Sequence, residues 1–328
     1  MIEIAIGAII VALIFDFVNG FNDSANSVAT VIGTRVLKPI HAVALSAAAN
    51  FAGPFIFGVA VATTISKGIL NPDDVTVYMV IGALAGAIGW SSICTYLGLP
   101  ISNSHSLVGG IMGAGIAVLG FDQLLFGGLE KVLTGIIVAP TGGIIFGFLL
   151  TGLIITIFAN RRPAIINKTF GRLQIISSAW FALTHGANDG QKTMGIIVLI
   201  LFSTGLIPEL EMPVWVIFAA ASAMALGTFF GGYKVIKTLG MKITKLKPYQ
   251  GFAAETGGGI MLAVFSTFGI PASTTHAITG TIMGAGAARR KRAVRWKVGK
   301  QIVFAWVITI PGSAGLAIAF TYLIYMFV

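Results

Sequence analysis

Long apolar blocks separated by short polar turns fill the whole chain. They lie at about 2–34, 40–65, 76–98, 99–118, 132–158, 174–206, 213–232, 252–268, 271–286 and 299–328. One membrane crossing needs about 20 apolar residues, so this pattern predicts a series of membrane helices and no sheet. Blocks 2–34 and 174–206 are too long for one straight span. Each is interrupted by a polar G-x-N-D core, "GFND" at 20–23 and "GAND" at 186–189, and each predicts a broken helix. Blocks 252–268 and 271–286 are short and meet at a proline. They predict a helical hairpin, either re-entrant or spanning.

Composition fixes the solvent. Of the 328 residues, 56% are hydrophobic and 10% charged, and the mean hydropathy is +0.94. Soluble domains carry about 25% charged residues, so the chain reads as an all-α polytopic membrane protein. The opening "MIEIAIGAIIVALIFDFVNG" has no basic leader and no small-residue cleavage site, and reads as the first span. The single cysteine, Cys94, excludes an internal disulfide and a cysteine metal site. The 42 glycines suit close helix packing.

The net charge of +10 changes the picture through its placement. Sixteen of the 21 Lys and Arg lie in the segments 159–173, 233–251 and 287–300. The positive-inside rule makes those loops cytoplasmic, which disfavours a nucleic-acid partner. The acidic turns "NPDD" (71–74) and "PELEMP" (208–213) mark the other side. Both termini are then expected outside the cell membrane.

The chain also repeats itself. "GFND" matches "GAND" at an offset of 166 residues. "LGLPISNSHSLVGGIMGAGIA" at 97–117 matches "FGIPASTTHAITGTIMGAGAA" at 268–288 at an offset of 171, and Pro140 falls on Pro311. With the basic loops inside, the two halves run in opposite directions. The expected organisation is a first inverted repeat at 1–158, a basic cytoplasmic linker at 159–173 and a second inverted repeat at 174–328. Inverted repeats with interrupted helices point to a secondary transporter whose site lies where the repeats meet. Unwound backbone in lipid would otherwise leave unpaired groups at several kcal/mol each.

Two kinds of chemistry stand out. Asp23 and Asp189 are intramembrane acids, which are costly unless paired or bound to a cation. Hard cations prefer oxygen, and Asn22, Asp23, Asn26, Asn188 and Asp189 supply it. Asp can also simply cap a helix. "PISNSHS" (100–106) and "PASTTHA" (271–277) read as helix N-termini. Their free N–H groups and positive dipole ends suit an anion, with Ser102, Asn103, Ser104, Ser106, Ser273, Thr274 and Thr275 as donors. Ordinary capping and hydroxyl back-bonding compete with that reading. Gln191 is a further anion donor. Lys192, three residues after Asp189, can pair with it or touch the anion. Glu255 is a coupling, pairing or snorkelling carboxylate. His105 and His276 match in the repeat and read as proton sensors, anion ligands or packing side chains. Asp16 and Glu3, near the start of the first block, receive no role.

At these motifs, "GFNDSANS", "HGANDGQKTMG", "LPISNSH" and "IPASTTH", the chain resembles the inorganic phosphate transporter (PiT) family over essentially its whole length. The resemblance implies cation-coupled phosphate uptake, no enzyme activity, an inverted-repeat fold of about twelve helical segments and a homodimer. It implies Na+ ligands around Asn22, Asp23, Asn26, Asn188 and Asp189, and phosphate donors among Ser102–Ser106 and Ser273–Thr275. It also implies an acid after each G-x-N-D element. Glu255 matches the second; the first falls near Asn50. The expected activity is Na+-coupled phosphate symport, with Na+ and phosphate as cargo and no resident cofactor. The alternatives are H+-coupled phosphate or oxyanion transport, an anion channel, and an intramembrane aspartyl protease in which two acids share a proton.

Overall fold

A computed structural model of the chain describes residues 2–328. Among them the chain forms twelve α-helices and no strand. The first six are α1 (Ile2–Gly33), α2 (Pro39–Phe57), α3 (Ala60–Lys67), α4 (Val77–Leu97), α5 (Asn103–Val118) and α6 (Phe126–Ile157). The second six are α7 (Pro163–Ser203), α8 (Val214–Phe230), α9 (Tyr233–Lys237), α10 (Pro248–Thr267), α11 (Thr274–Arg289) and α12 (Trp296–Tyr325). Helices α1, α2, α4, α6 and α12 are each long and apolar enough to cross a membrane, and α8 joins the segment after it at a bend of 63°. Large apolar side chains face outward along α6 and α12: Ile137, Leu149, Phe304 and Val307 are all more than half exposed. That surface suits lipid rather than water. The protein is a multi-pass membrane protein.

The predicted breaks fall elsewhere. Both G-x-N-D cores lie inside continuous helices: α1 runs 32 residues and α7 runs 41. No unwound carbonyls are available there as cation ligands. The cores stay helical because protein, not lipid, surrounds them. Asn22–Val31 of α1 and Thr184–Leu201 of α7 are buried throughout, so their polar side chains are satisfied sideways and the backbone ladder survives. The chain breaks instead at the second helix of each half, between α2 and α3 and between α8 and α9. Gly58 (φ 74°) and Gly231 (φ 52°) sit at those breaks, in backbone that a side chain disfavours. The basic stretch 159–173 is mostly helical, because α7 already begins at Pro163 with its proline in the first turn.

Two hairpins follow the expected pattern. Gly98 (φ 69°) ends α4, and Gly269 (φ 64°) follows α10. The short α5 and α11 then start on Ser102 and Ser273, whose hydroxyls accept the N–H of His105 and of His276, each at 3.2 Å.

Packing between the halves is reciprocal. Gly20 of α1 lies so close to α8 that a Cβ there would sit 2.2 Å from the Met224 carbonyl oxygen. Gly186 of α7 meets the Asn50 carbonyl oxygen of α2 at the same 2.2 Å. The glycine of each G-x-N-D core is thus the contact with the other half's second helix. Helix α6 packs on α11, and α12 packs on α5.

Candidate functional site

Helices α1 and α7 cross the centre antiparallel. Ser178 Oγ donates to the Ser27 carbonyl (3.1 Å) and Thr34 Oγ1 donates to Gln174 Oε1 (2.9 Å), so α7 numbers fall as α1 numbers rise. Asp23 and Asp189 therefore meet, although 166 residues separate them. His185 lies between them, with Nε2 3.3 Å from Asp189 Oδ2 and 4.0 Å from Asp23 Oδ2. One ligand atom from each of these three lies within 4.8 Å of the others, and all three residues are buried.

Neighbouring side chains fix the imidazole. Thr228 donates to the Met224 carbonyl (2.9 Å), so its oxygen accepts from Asn50 Nδ2 (2.9 Å). Asn50 Oδ1 then faces His185 Nδ1 at 3.0 Å and accepts its proton. That leaves Nε2 pointing at two carboxylates. A neutral Nε2 presents a lone pair there, so the three groups coexist only around a cation or a proton.

The tips of α5 and α11 close on the same point. Thr274 Oγ1 donates to Asp189 Oδ2 at 3.0 Å and lies 3.5 Å from Asp23 Oδ2; Thr275 Oγ1 reaches Asp23 Oδ1 at 3.4 Å. Asn26 Nδ2 donates to both threonine hydroxyls, at 3.2 and 3.0 Å. From the other tip, Ser104 Oγ lies 3.2 Å from the Ala272 carbonyl. The Lys192 ammonium pairs with Asp189 Oδ1, and also donates to Ser104 Oγ (2.5 Å) and the Ala272 carbonyl (2.9 Å). It joins both hairpin tips to the carboxylate. Asn22 donates to the Ser91 carbonyl and to Asn103 Oδ1, each at 3.4 Å, and accepts from Thr95. The crevice lined by Asn22, Asp23, Asn26, Pro100 and Thr275 is too narrow for a water-sized sphere. The tips are closed over the acids.

Several expected site residues do other work. The Ser102 and Ser273 hydroxyls are occupied as helix caps, and Ser106 back-bonds to the Ser102 carbonyl at 3.3 Å. Gln191 Oε1 accepts the Val61 N–H at 2.9 Å and so ties down the start of α3. Asn188 turns from the two acids toward α10, donating to Ser266 Oγ (3.2 Å) and the Ile270 carbonyl (3.4 Å). Glu255 is fully buried and does not snorkel. It accepts from Thr30 (2.5 Å), Gln174 (3.2 Å) and Ser177, in a cluster separate from the two acids. His105 and His276 pack edge-to-face at 4.6 Å, with His276 over Trp306 at 3.7 Å. Sequence reading missed His185, although it stands four residues before Asp189 in the same motif, where i and i+4 share a helix face. Asn50 stood out only as the place of a missing family acid, and Thr95, Gln174 and Ser177 carried no pattern that set them apart.

The model of the phosphate transporter family matches residues 19–168 and 158–317. The chain belongs to that family. Among its relatives, a protein of Rhizobium meliloti described as a "Probable low-affinity inorganic phosphate transporter" is 47% identical over 94% of this chain and 93% of its own length. A Bacillus subtilis protein with the same description is 42% identical over 95% of each. A solved structure described as "The sodium-dependent phosphate transporter" superposes with a TM-score of 0.89 at 28% identity, covering 99% of this chain and 100% of that one. The family comprises transporters and not enzymes, so the protease alternative falls away.

Proposed function

We propose that the protein carries inorganic phosphate together with Na+ by alternating access of two inverted halves, 1–158 and 174–328. One observation carries this reading: the polarity of the buried groups left without a partner. At Asn26, the expected cation ligand that lies beside the acids, the unpaired atom is an acceptor, Oδ1. At Asn103, the expected anion ligand on the α5 tip, it is a donor, Nδ2. These amide orientations are set by neighbours of fixed polarity. The Ser91 carbonyl orients Asn22 and through it Asn103. Asn26 is held by two hydroxyls already donating to carboxylates. Buried polar atoms are normally paired. Orphans sorted by sign are what a pocket for a cation beside an anion requires.

The tips of α5 and α11 add the N–H groups of Asn103, Ser104, Thr274 and Thr275, which lie ahead of the helical ladder. Two positive helix ends then face one oxyanion. Because the tips are closed, phosphate reaches them only when a hairpin moves, which fits alternating access.

Lys192 sets the second half apart from the first. At the offset of 166 it stands where the first half has Asn26. Its ammonium is surrounded by carboxylate, hydroxyl and carbonyl oxygens, a hard cation's shell. Lys192 therefore serves as a fixed cation at Asp189, and the mobile Na+ belongs at Asp23 and Asn26. His185 supports a second reading, in which a proton on Nε2 bridges the two acids and couples transport to H+. Basic loops in the cytoplasm and a homodimer complete the proposal.

Purified protein in liposomes should take up ³²P-phosphate when an inward Na+ gradient is imposed, and Asp23→Asn should abolish the sodium dependence. Equal uptake under a pH gradient without Na+ would select the His185 reading instead.

A further inference from the structure

The basic loops carry charge that the chain itself does not balance. Sixteen of the 21 Lys and Arg lie in segments 159–173, 233–251 and 287–300, and those segments contain no Asp or Glu. Among the described residues every ion pair lies at the Asp23–Asp189 centre. Fifteen of the sixteen cations are exposed, and Lys247 alone is half-buried.

Lys247 and Arg161 share a cavity of about 220 Å³. It lies where α6 ends and where α7 and α10 begin. Asn167 and Tyr249 add further polar groups, and no acid lines it. Pro163 and Pro248 open α7 and α10 at its rim, so two helix ends add to the positive potential. The rest of the wall is apolar, with Ile155 and Phe158 among its residues. Behind Phe158 stands an aromatic row, in which Phe170 lies 5.3 Å from Phe158 and 5.4 Å from Phe252 between ring centroids.

Its position decides the occupant. Helix α6 is long and apolar enough to span a membrane, so a cavity at its end lies at the membrane–water boundary. Leu149, Leu153 and Ile157 recur every four residues along α6 and are more than half exposed, which forms an apolar strip running from that end into the lipid. A free oxyanion would use the two cations and leave the apolar wall wet. Snorkelling of the two side chains into bulk headgroups needs no cavity at all. A phospholipid with an anionic headgroup uses the cations, the wall and the strip together, and basic pockets between membrane helices bind such headgroups.

We propose that this cavity holds the headgroup of one anionic phospholipid, with Arg161 and Lys247 at its phosphate and its acyl chains along α6. The assignment does not depend on which ion couples transport. The lipid ties α6 and α7 to the open end of the α10–α11 hairpin, whose tip closes over the acids.

Native mass spectrometry of the purified protein, titrated with phosphatidylglycerol or with phosphatidylcholine, tests this. A cation beside an anionic headgroup is worth about fivefold in affinity, so wild type should prefer phosphatidylglycerol about 25-fold. Arg161→Gln and Lys247→Gln should each cut that preference about fivefold. Lys297→Gln, in the third basic segment and outside the cavity, should leave it unchanged. No preference in wild type overturns the proposal, and so does an equal loss in Lys297→Gln. Displacement of the lipid by glycerol phosphate at equal concentration also overturns it, because the cavity would then be a site for free oxyanions. If Lys247→Gln, at the residue that precedes α10, does not fold, an unchanged preference in Arg161→Gln overturns the proposal by itself.

Discussion

Replacing Lys192 by Asn would give the second half the residue that the first half has at Asn26. The ammonium now pairs with Asp189 Oδ1 and is 2% exposed. Removing one partner of a buried ion pair costs about 3–5 kcal/mol, because the remaining charge is uncompensated. The variant should therefore melt well below wild type in choline chloride. The new amide adds an oxygen beside Asp189, Ser104 and the Ala272 carbonyl, so Na+ should now bind where the ammonium was. A ligand at one hundred times its Kd returns about 2.7 kcal/mol, so NaCl should recover a large part of the loss. Thermal unfolding followed by tryptophan fluorescence, in NaCl and in choline chloride, reads both effects. The Na+-induced rise should be clearly larger in Lys192→Asn than in wild type, and uptake should depend more steeply on Na+. Equal Na+ responses in the two proteins would refute the idea that the lysine occupies a cation position.

Three further outcomes follow from contacts already described. Asn50→Ala removes the acceptor of His185 Nδ1–H and the donor to Thr228; leaving such buried groups unpaired should cost about 1–3 kcal/mol, seen as a lower melting temperature and slower uptake. Ser102→Ala and Ser273→Ala each remove a cap worth about 1 kcal/mol, and should raise the phosphate KM more than they alter Na+ binding. Gly186→Ala puts a methyl group 2.2 Å from the Asn50 carbonyl oxygen; overpacking of about 1–3 kcal/mol or more should appear as a loss of monodisperse protein, whereas Gly7→Ala, with nothing within 4 Å, should not.

The hairpins were legible because their determinants are local. Gly98 with Ser102, and Gly269 with Ser273, announce a left-handed stop and a capped restart within a few residues. The carboxylates were legible because a charged residue inside an apolar block has few uses. The course of the helices around them was not. Whether a polar stretch unwinds depends on what surrounds it, and the burial of Asn22–Val31 and Thr184–Leu201 is a tertiary fact. The same reason accounts for the diverted amides: Gln191 and Asn188 sit on turns of α7 that face α3 and α10, and sequence spacing does not reveal which neighbour a helix face meets. His185 lay within a motif already singled out, but its role needs Asn50, brought from 135 residues away. Asp16 received no role because it lies near the start of the first apolar block.

The two close glycine contacts bind the halves in a way that bears on the protein's ancestry. Gly20 needs α8 and Gly186 needs α2, so a six-helix half made alone would carry an open groove where its counterpart belongs. On the proposed inverted-repeat reading, only another copy threaded through the bilayer in the opposite sense would fill that groove. On the same reading, a single ancestral half would have inserted in both directions and paired with itself before fusion. The first and second halves of this protein, produced as separate polypeptides, should accordingly accumulate together and be degraded apart.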